Sequence, residues 1–132
     1  MKNFLLFIWQ LPQNLIGFIY SRFAKSKSTF YFKNKKTDVY FCNCFGRAVS
    51  LGKYIIFDVK YKRITPGRTL TNVQHEYGHS IQSKYLGLFY LLLVGVPSIC
   101  RNIYQRIFKK SNKWYYGGYP EKWADVLGGV ER

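Results

Sequence analysis

The sequence predicts one α+β domain, in which a small antiparallel sheet of about three strands is followed by a central helix and further helices. Three observations favour this class: a strand-like composition between residues 29 and 58, a helix-start pattern just before residue 75, and a short final segment bounded by proline and glycine. The chain has 132 residues, of which 48% are hydrophobic and 20% aromatic, so residues 1–132 can bury a single modest core.

The N-terminal residues predict a helix with a large apolar surface. Residues 4–20 carry no charge, and basic residues follow this run at positions 22, 25 and 27. The run is at the short edge of what a membrane-spanning helix needs, which is about 20 residues. Because proline suits the first turn of a helix, we expect a helix from Pro12 to about Phe23. The apolar segment 4–23 either packs on the domain or associates with a membrane.

The residues that follow predict the sheet. Residues 29–32 and 39–42 are rich in β-branched and aromatic side chains, and residues 53–57 form a third run of the same kind. Because short connections join the three runs, we expect an antiparallel meander.

The central helix is predicted from residue 71 onward. Thr71 and Gln74 form a capping-box pattern, and Gly87 fits the position just past a helix end. Residues four apart on a helix share one face, so His75 and His79 point to the same side. They are the only two histidines of the chain.

The run His75-Glu76-Tyr77-Gly78-His79 has the spacing of a metal site. Two neutral imidazoles can bind one zinc ion (Zn2+), and a catalytic zinc typically has three protein ligands plus a water. Glu76 is placed to take a proton from a metal-activated water. The run therefore predicts two ligands and a general base, and it requires a third ligand from elsewhere in the chain.

The last predicted helix carries a candidate for that ligand. It opens at Pro120 and stops at Gly128, and Glu121 and Asp125 share one of its faces. A glutamate oxygen completes a two-histidine, one-glutamate zinc set, and a second acid can accept the free ring N–H of a ligand histidine. The alternative is an exposed charged helix end, because the helix dipole favours glutamate in a first turn. The chain has only 6 acidic residues, which favours the metal site.

The two motifs together, H-E-x-x-H and the downstream E-x-x-x-D, resemble the gluzincin branch of the zincin metallopeptidases. The small size is similar to that of the single-domain minigluzincins, which implies a zincin-like sheet before the active-site helix and a peptide or protein substrate. The roles that the resemblance implies are zinc ligands at His75, His79 and Glu121, a general base at Glu76, and support of a ligand histidine by Asp125. Tyrosines near the third ligand are candidates for assisting the oxyanion: Tyr115, Tyr116 and Tyr119.

Two other classes of protein remain open. The formal charge of +15 and the aromatic residues among the basic ones would suit nucleic acid, although no nucleic-acid-binding module is visible. A basic membrane- or nucleic-acid-binding protein with a non-catalytic metal site is therefore the alternative. A purely structural zinc site usually has four cysteine or histidine ligands, and it would leave Glu76 without a role.

The second apolar run, residues 85–100, is not predicted to cross a membrane. A single crossing would put Glu121 on the opposite side from both histidines, and 16 helical residues reach only about 24 Å of a hydrocarbon core of roughly 30 Å. We expect a buried helix or hairpin, or a surface helix inserted in one leaflet. Three cysteines without framework spacing indicate reduced thiols and a cytoplasmic location. The basic excess favours a peripheral position on the inner face of an anionic membrane.

Overall fold

The computed structural model describes residues 1–32, 35–43, 48–60 and 66–132, and it confirms the predicted α+β class. The elements follow one another as α1 (Lys2–Trp9), α2 (Leu11–Arg22), β1 (Ser26–Phe32), β2 (Lys35–Cys42), β3 (Ala48–Leu51), β4 (Tyr54–Asp58), α3 (Pro66–Leu86), α4 (Val96–Ile107), α5 (Asn112–Tyr116) and α6 (Glu121–Gly128). A 3-10 turn at Gly87–Phe89 and a π-helical turn at Leu91–Gly95 join α3 to α4.

The sheet has four strands and is mixed, so the predicted three-stranded antiparallel meander is wrong. The strand order is β1-β2-β4-β3, in which β2 and β4 are parallel and the other two pairs are antiparallel. The missed strand is β3, four residues long, which lies at the edge. The central position of β4 has a physical reason, because all five of its residues are buried. A continuous apolar run is typical of a strand that is covered on both faces.

Both faces of the sheet are covered. On one face, Val73 of α3 packs into a buried cluster made by alternate residues of β2 and β4: Val39, Phe41, Ile55 and Phe57. On the other face, Leu91 packs against a second cluster: Cys42, Leu51, Tyr54 and Ile56. Phe18 of α2 reaches the same side, with its ring centroid 6.4 Å from that of Tyr54. Burial of each large apolar side chain contributes about 1.5–3 kcal/mol, so this core anchors α3.

Helix α3 begins earlier than the sequence predicts and ends where predicted. It starts at Pro66, five residues before Thr71, so the capping-box pattern lies inside the helix and does not form its start. Proline in a first turn is itself a helix-start signal. The helix ends at Leu86, and Gly87 has the left-handed φ of 53° that glycine adopts readily. A side chain at Gly87 would also collide with the ring of Trp9, because an added Cβ would lie 2.0 Å from it.

Helix α6 has bounds within one residue of those predicted and packs closely against α3. It begins at Glu121, one residue after the predicted start at Pro120, and ends at Gly128, and the next glycine is left-handed with a φ of 71°. An added Cβ on Gly78 of α3 would lie 1.8 Å from the carbonyl oxygen of Ala124, and one on Gly128 would lie 1.9 Å from that of Gln74. The two helix backbones are therefore in direct contact.

The predicted N-terminal helix is present as α2, and a further helix, α1, precedes it with a bend of 92° between them. Neither α1 nor α4 contains a buried residue, and the run 85–100 buries only Gly87, Tyr90 and Val94. The second run therefore contributes Tyr90 and Val94 to the core and packs Leu91 on the sheet, while most of its other apolar side chains are exposed. Within the described ranges no single helix is long and apolar enough to cross a membrane, although α1 and α2 together meet the requirement by length and composition.

The contact between α3 and α6 makes a testable prediction. We expect Gly78→Ala to reduce the free energy of unfolding by about 3 kcal/mol, because the added methyl group forces the helix backbones apart. Urea unfolding followed by circular dichroism measures the loss. Gly95→Ala is the matched control, since the nearest atom to its added Cβ is 3.6 Å away. Equal stabilities of the two variants would contradict the importance of this close approach.

Candidate metal centre

Two helices bring the predicted site side chains together. His75 and His79 lie one turn apart on α3, and Glu121 and Asp125 lie one turn apart on α6. The Oε2 atom of Glu121 is 2.9 Å from Nε2 of His75 and 3.1 Å from Nε2 of His79. One possible ligand atom from each of these three residues lies within 4.8 Å of the other two. The three side chains are buried, and Glu121 has no exposed surface.

The other ring nitrogen of each histidine contacts an acceptor. Nδ1 of His75 lies 2.6 Å from Oδ1 of Asp125, and Nδ1 of His79 lies 2.7 Å from Oε1 of Gln82. The amide nitrogen of Gln82 donates to the carbonyl oxygen of Pro120 at 3.1 Å, which turns its oxygen toward the histidine. Because a carboxylate and an amide oxygen can only accept, both Nδ1 atoms carry a hydrogen.

These tautomers explain why the site fits a cation. A neutral imidazole with hydrogen on Nδ1 has a lone pair on Nε2, and an ionised carboxylate offers only lone pairs. The lone pairs of His75, His79 and Glu121 therefore face one another, and they repel unless a proton or a metal ion lies among them. Zinc bonds of about 2.0 Å at tetrahedral angles place ligand atoms about 3.3 Å apart. The observed 2.9 and 3.1 Å are close to that separation, so the residues fit a divalent cation such as zinc.

The pKa values of His75 and Glu121 are shifted in opposite directions. Burial would lower the pKa of His75, but the hydrogen bonds to Asp125 and Glu121 outweigh it and raise the pKa to about 9. Burial would likewise raise the pKa of Glu121, but hydrogen bonds from both histidines hold the pKa far below its usual value. The carboxylates of Glu121 and Asp125 therefore favour a positive charge among these residues.

Glu76 differs from the other acids of the site. It is buried, with 8% of its surface exposed, next to both histidines on α3. Burial raises the pKa of its carboxyl group, and the positive potential of His79 and His75 only partly opposes this effect. A carboxylate with a raised pKa is a stronger base than an exposed one, which suits a group that takes up and releases a proton.

Three residues that were not predicted from the sequence contact the site side chains: Gln82, Ser98 and Arg132. The hydroxyl of Ser98, on α4, donates to Oε1 of Glu121. Arg132 donates to both carboxylate oxygens of Asp125, at 2.7 and 3.3 Å. Gln82 lies three residues after His79 on the same helix face, so its position could have been found from spacing. Ser98 and Arg132 reach the site only through tertiary contacts, and no local pattern marks them.

The three candidate tyrosines have different surroundings in the structure. The ring of Tyr116 packs edge-on against His75, with centroids 5.1 Å apart. Burial of Tyr115 raises the pKa of its hydroxyl, with a further contribution from the charge of Glu121. The hydroxyl of Tyr119 donates to the carbonyl oxygen of Leu93 in the π-helical turn. Tyr119 is therefore engaged in joining α6 to the α3–α4 connection.

Comparisons with known proteins do not extend this description. No family model, no curated protein and no solved structure matches the chain. The fold and the buried group of His75, His79 and Glu121, which could hold a metal ion, are therefore the basis for the function.

Metal binding is the first property of this site to test. We expect one zinc ion per purified chain by elemental analysis, and zinc should raise the free energy of unfolding by about 4 kcal/mol when it is free at a thousand times its Kd. Glu121→Ala should lose stoichiometric zinc, because it removes the oxygen on which both Nε2 atoms converge. Glu131→Ala, at an exposed position, is the control and should keep it. A wild-type chain without bound zinc would contradict the assignment.

The contact between Asp125 and His75 makes a second prediction for the site. Asp125→Asn keeps the shape of the side chain but weakens its hold on the ring N–H, so zinc affinity should fall about 10- to 100-fold. Competition with a chromophoric chelator measures the change. Asp38→Asn is the control, since Asp38 is paired with Lys27 on the sheet at 3.1 Å and plays no part in the site. Equal affinities of the two variants would show that Asp125 does not support the ligand.

Proposed function

We propose that the chain is a zinc metallopeptidase. The observation that supports this most strongly is the convergence of His75 and His79 on a single oxygen of Glu121, with Glu76 buried beside them on the same helix. In this proposal the two histidines and Glu121 hold the ion. Zinc, when bound, would act as a Lewis acid that polarises the scissile carbonyl group and lowers the pKa of a water molecule.

The chain's own residues would then carry the proton. Glu76 accepts a proton from the attacking water and delivers it to the leaving amine, and its raised pKa suits both steps. Asp125 keeps the hydrogen of His75 on Nδ1, and Gln82 does the same for His79, so both Nε2 lone pairs stay available to the ion. Ser98 holds the second oxygen of Glu121 and thereby limits the rotation of its carboxylate.

The position of Glu76 argues against a site that only stabilises the fold. A closed structural zinc site would need no buried carboxylate beside it, and burial of an acid carries a desolvation cost. The described residues also provide a three-ligand group, whereas structural sites usually have four ligands. A three-ligand group with a buried acid beside it is typical of a hydrolytic centre.

The test of this function separates metal binding from hydrolysis. We expect Glu76→Gln to keep stoichiometric zinc and to hydrolyse fluorescently labelled casein at least about 100-fold more slowly than the wild type, because general-base assistance contributes about that much or more. Glu131→Gln makes the same chemical change at an exposed position and should leave both properties unchanged.

Two outcomes would overturn the proposal. Equal rates for the wild type and Glu76→Gln would show that Glu76 is not the base. A zinc-loaded wild type that cleaves neither casein nor a mixed peptide library would remove the peptidase function and leave a non-catalytic metal site. Binding of single-stranded DNA that weakens with salt and ignores chelator would then favour the nucleic-acid class.

A further inference from the structure

We propose that one face of the helical half inserts into a single leaflet of an anionic membrane. This apolar face is formed by α1, α2 and residues 88–107. The inference concerns a surface that the proposed function does not use, and it does not depend on peptidase activity.

Helix α4 exposes its apolar side and turns its polar side inward, which is the reverse of a surface helix on a protein in water. Its exposed side is an apolar stripe at helical spacing: Val96, Ile99, Ile103 and Ile107, each at least half exposed. Its inner side is polar, because Ser98 donates to Glu121 and Arg101 donates to the carbonyl oxygens of Trp114 and Tyr115. A surface helix in water turns its apolar stripe toward the core. The outward stripe therefore requires an apolar environment outside the protein.

The N-terminal helices have the same inverted polarity. The fully buried side chains of α2 are polar: Gln13 and Asn14, at 0% and 1% exposure. Gln13 donates to the carbonyl oxygen of Gly87 at 2.7 Å. The outer side of α2 carries Leu15 and Ile19, which are about half exposed. Helix α1 buries no residue, and its aromatic residue Phe4 is 64% exposed.

Contacts of Trp9 connect these surfaces at one junction. The indole nitrogen of Trp9, at the corner between α1 and α2, donates to the carbonyl oxygen of Lys84 at 3.1 Å. The Trp9 ring also lies against Gly87, where α3 passes into residues 88–107. Exposed apolar side chains therefore continue from α1 and α2 across this junction to α4. This many exposed apolar side chains on connected elements indicate an interaction site, because monomeric soluble proteins rarely expose large apolar surfaces.

Charge identifies an anionic membrane as the occupant. No acidic residue occurs in residues 1–37 or 77–120, the parts of the sequence that contain the apolar face. Exposed basic residues lie in these parts of the chain: Arg22, Lys25, Lys84, Arg106, Lys109 and Lys110. Basic residues at the edge of an inserted apolar surface bind anionic headgroups. A second copy of the chain would bring another +15 to this surface and repel it, whereas anionic lipids neutralise it.

Flotation with lipid vesicles tests the proposal on the full-length chain. We expect the protein to float with vesicles of phosphatidylglycerol and phosphatidylcholine, and binding to pure phosphatidylcholine should be at least about tenfold weaker. Ile99→Glu and Ile103→Glu should each reduce binding to the anionic vesicles about tenfold or more, because they place a charge in the inserted stripe. Tyr31→Glu adds the same charge at an exposed aromatic residue of β1 and should bind like the wild type.

A second measurement compares the wild type with Trp9→Phe and introduces no charge into the apolar face. Brominated lipids should quench the fluorescence of Trp9, so the quenching should fall in Trp9→Phe. Retention of the circular dichroism spectrum and of the urea unfolding midpoint shows that each variant is folded. The proposal fails if the wild type does not float with anionic vesicles, or if Tyr31→Glu loses binding as much as Ile99→Glu. It also fails if the wild type is a discrete oligomer in detergent-free buffer that the two isoleucine variants convert to monomers, because the face would then be a subunit interface.

Discussion

The candidate metal centre depends on the close approach of α3 and α6. Packed helix axes usually lie about 8–10 Å apart, and the side chains at the contact set this distance. Here Gly78 meets the backbone at Ala124, and Gly128 meets the backbone at Gln74. Gly78 lies between the two histidines in sequence, and Gly128 lies in the last turn of α6. The missing side chains let the short carboxylate of Glu121 reach the imidazoles of both His75 and His79.

The buried polar groups of this contact are connected, which offsets the cost of burying them. Gln82 bonds to His79 through its oxygen and to Pro120 through its nitrogen, so the orientation of one ligand is linked to the start of α6. Asp125 links His75 to Arg132 near the C-terminus. A shift of α6 would therefore disturb both histidines and the carboxylate together. The site forms as a unit, and its geometry is set by the helix contact rather than by any one side chain.

Sequence patterns predicted those parts of the structure that depend on short spacings. The two histidines lie one turn apart, and so do Glu121 and Asp125. Glycine follows α3 and α6 because it adopts the left-handed conformation at a helix end readily, so its place in the sequence indicates where each helix stops. The sheet topology was not predictable in this way. Strand β3 is only four residues long, and its place beyond β4 depends on which strand can be covered on both faces. Ser98 and Arg132 reach the site through long-range packing that no local pattern encodes.

The sheet side of the protein buries its apolar side chains, whereas the N-terminal segment exposes most of its own, and α3 contacts both parts. On the sheet side, Val73 of α3 packs into an apolar core, as in any protein in water. At the other end of α3, the hydroxyl of Ser83 donates to Gln10 at 2.7 Å and accepts from Gln13 at 3.0 Å, both on the N-terminal segment. Beyond the contact of Phe18 with Tyr54, the hydrophobic effect holds that segment only weakly in water, because most of its apolar side chains are exposed. Each of these hydrogen bonds contributes only about 1 kcal/mol where water competes, and more in an apolar environment. An apolar environment outside the helices would therefore strengthen the bonds between α2 and α3, and α3 carries both candidate histidine ligands.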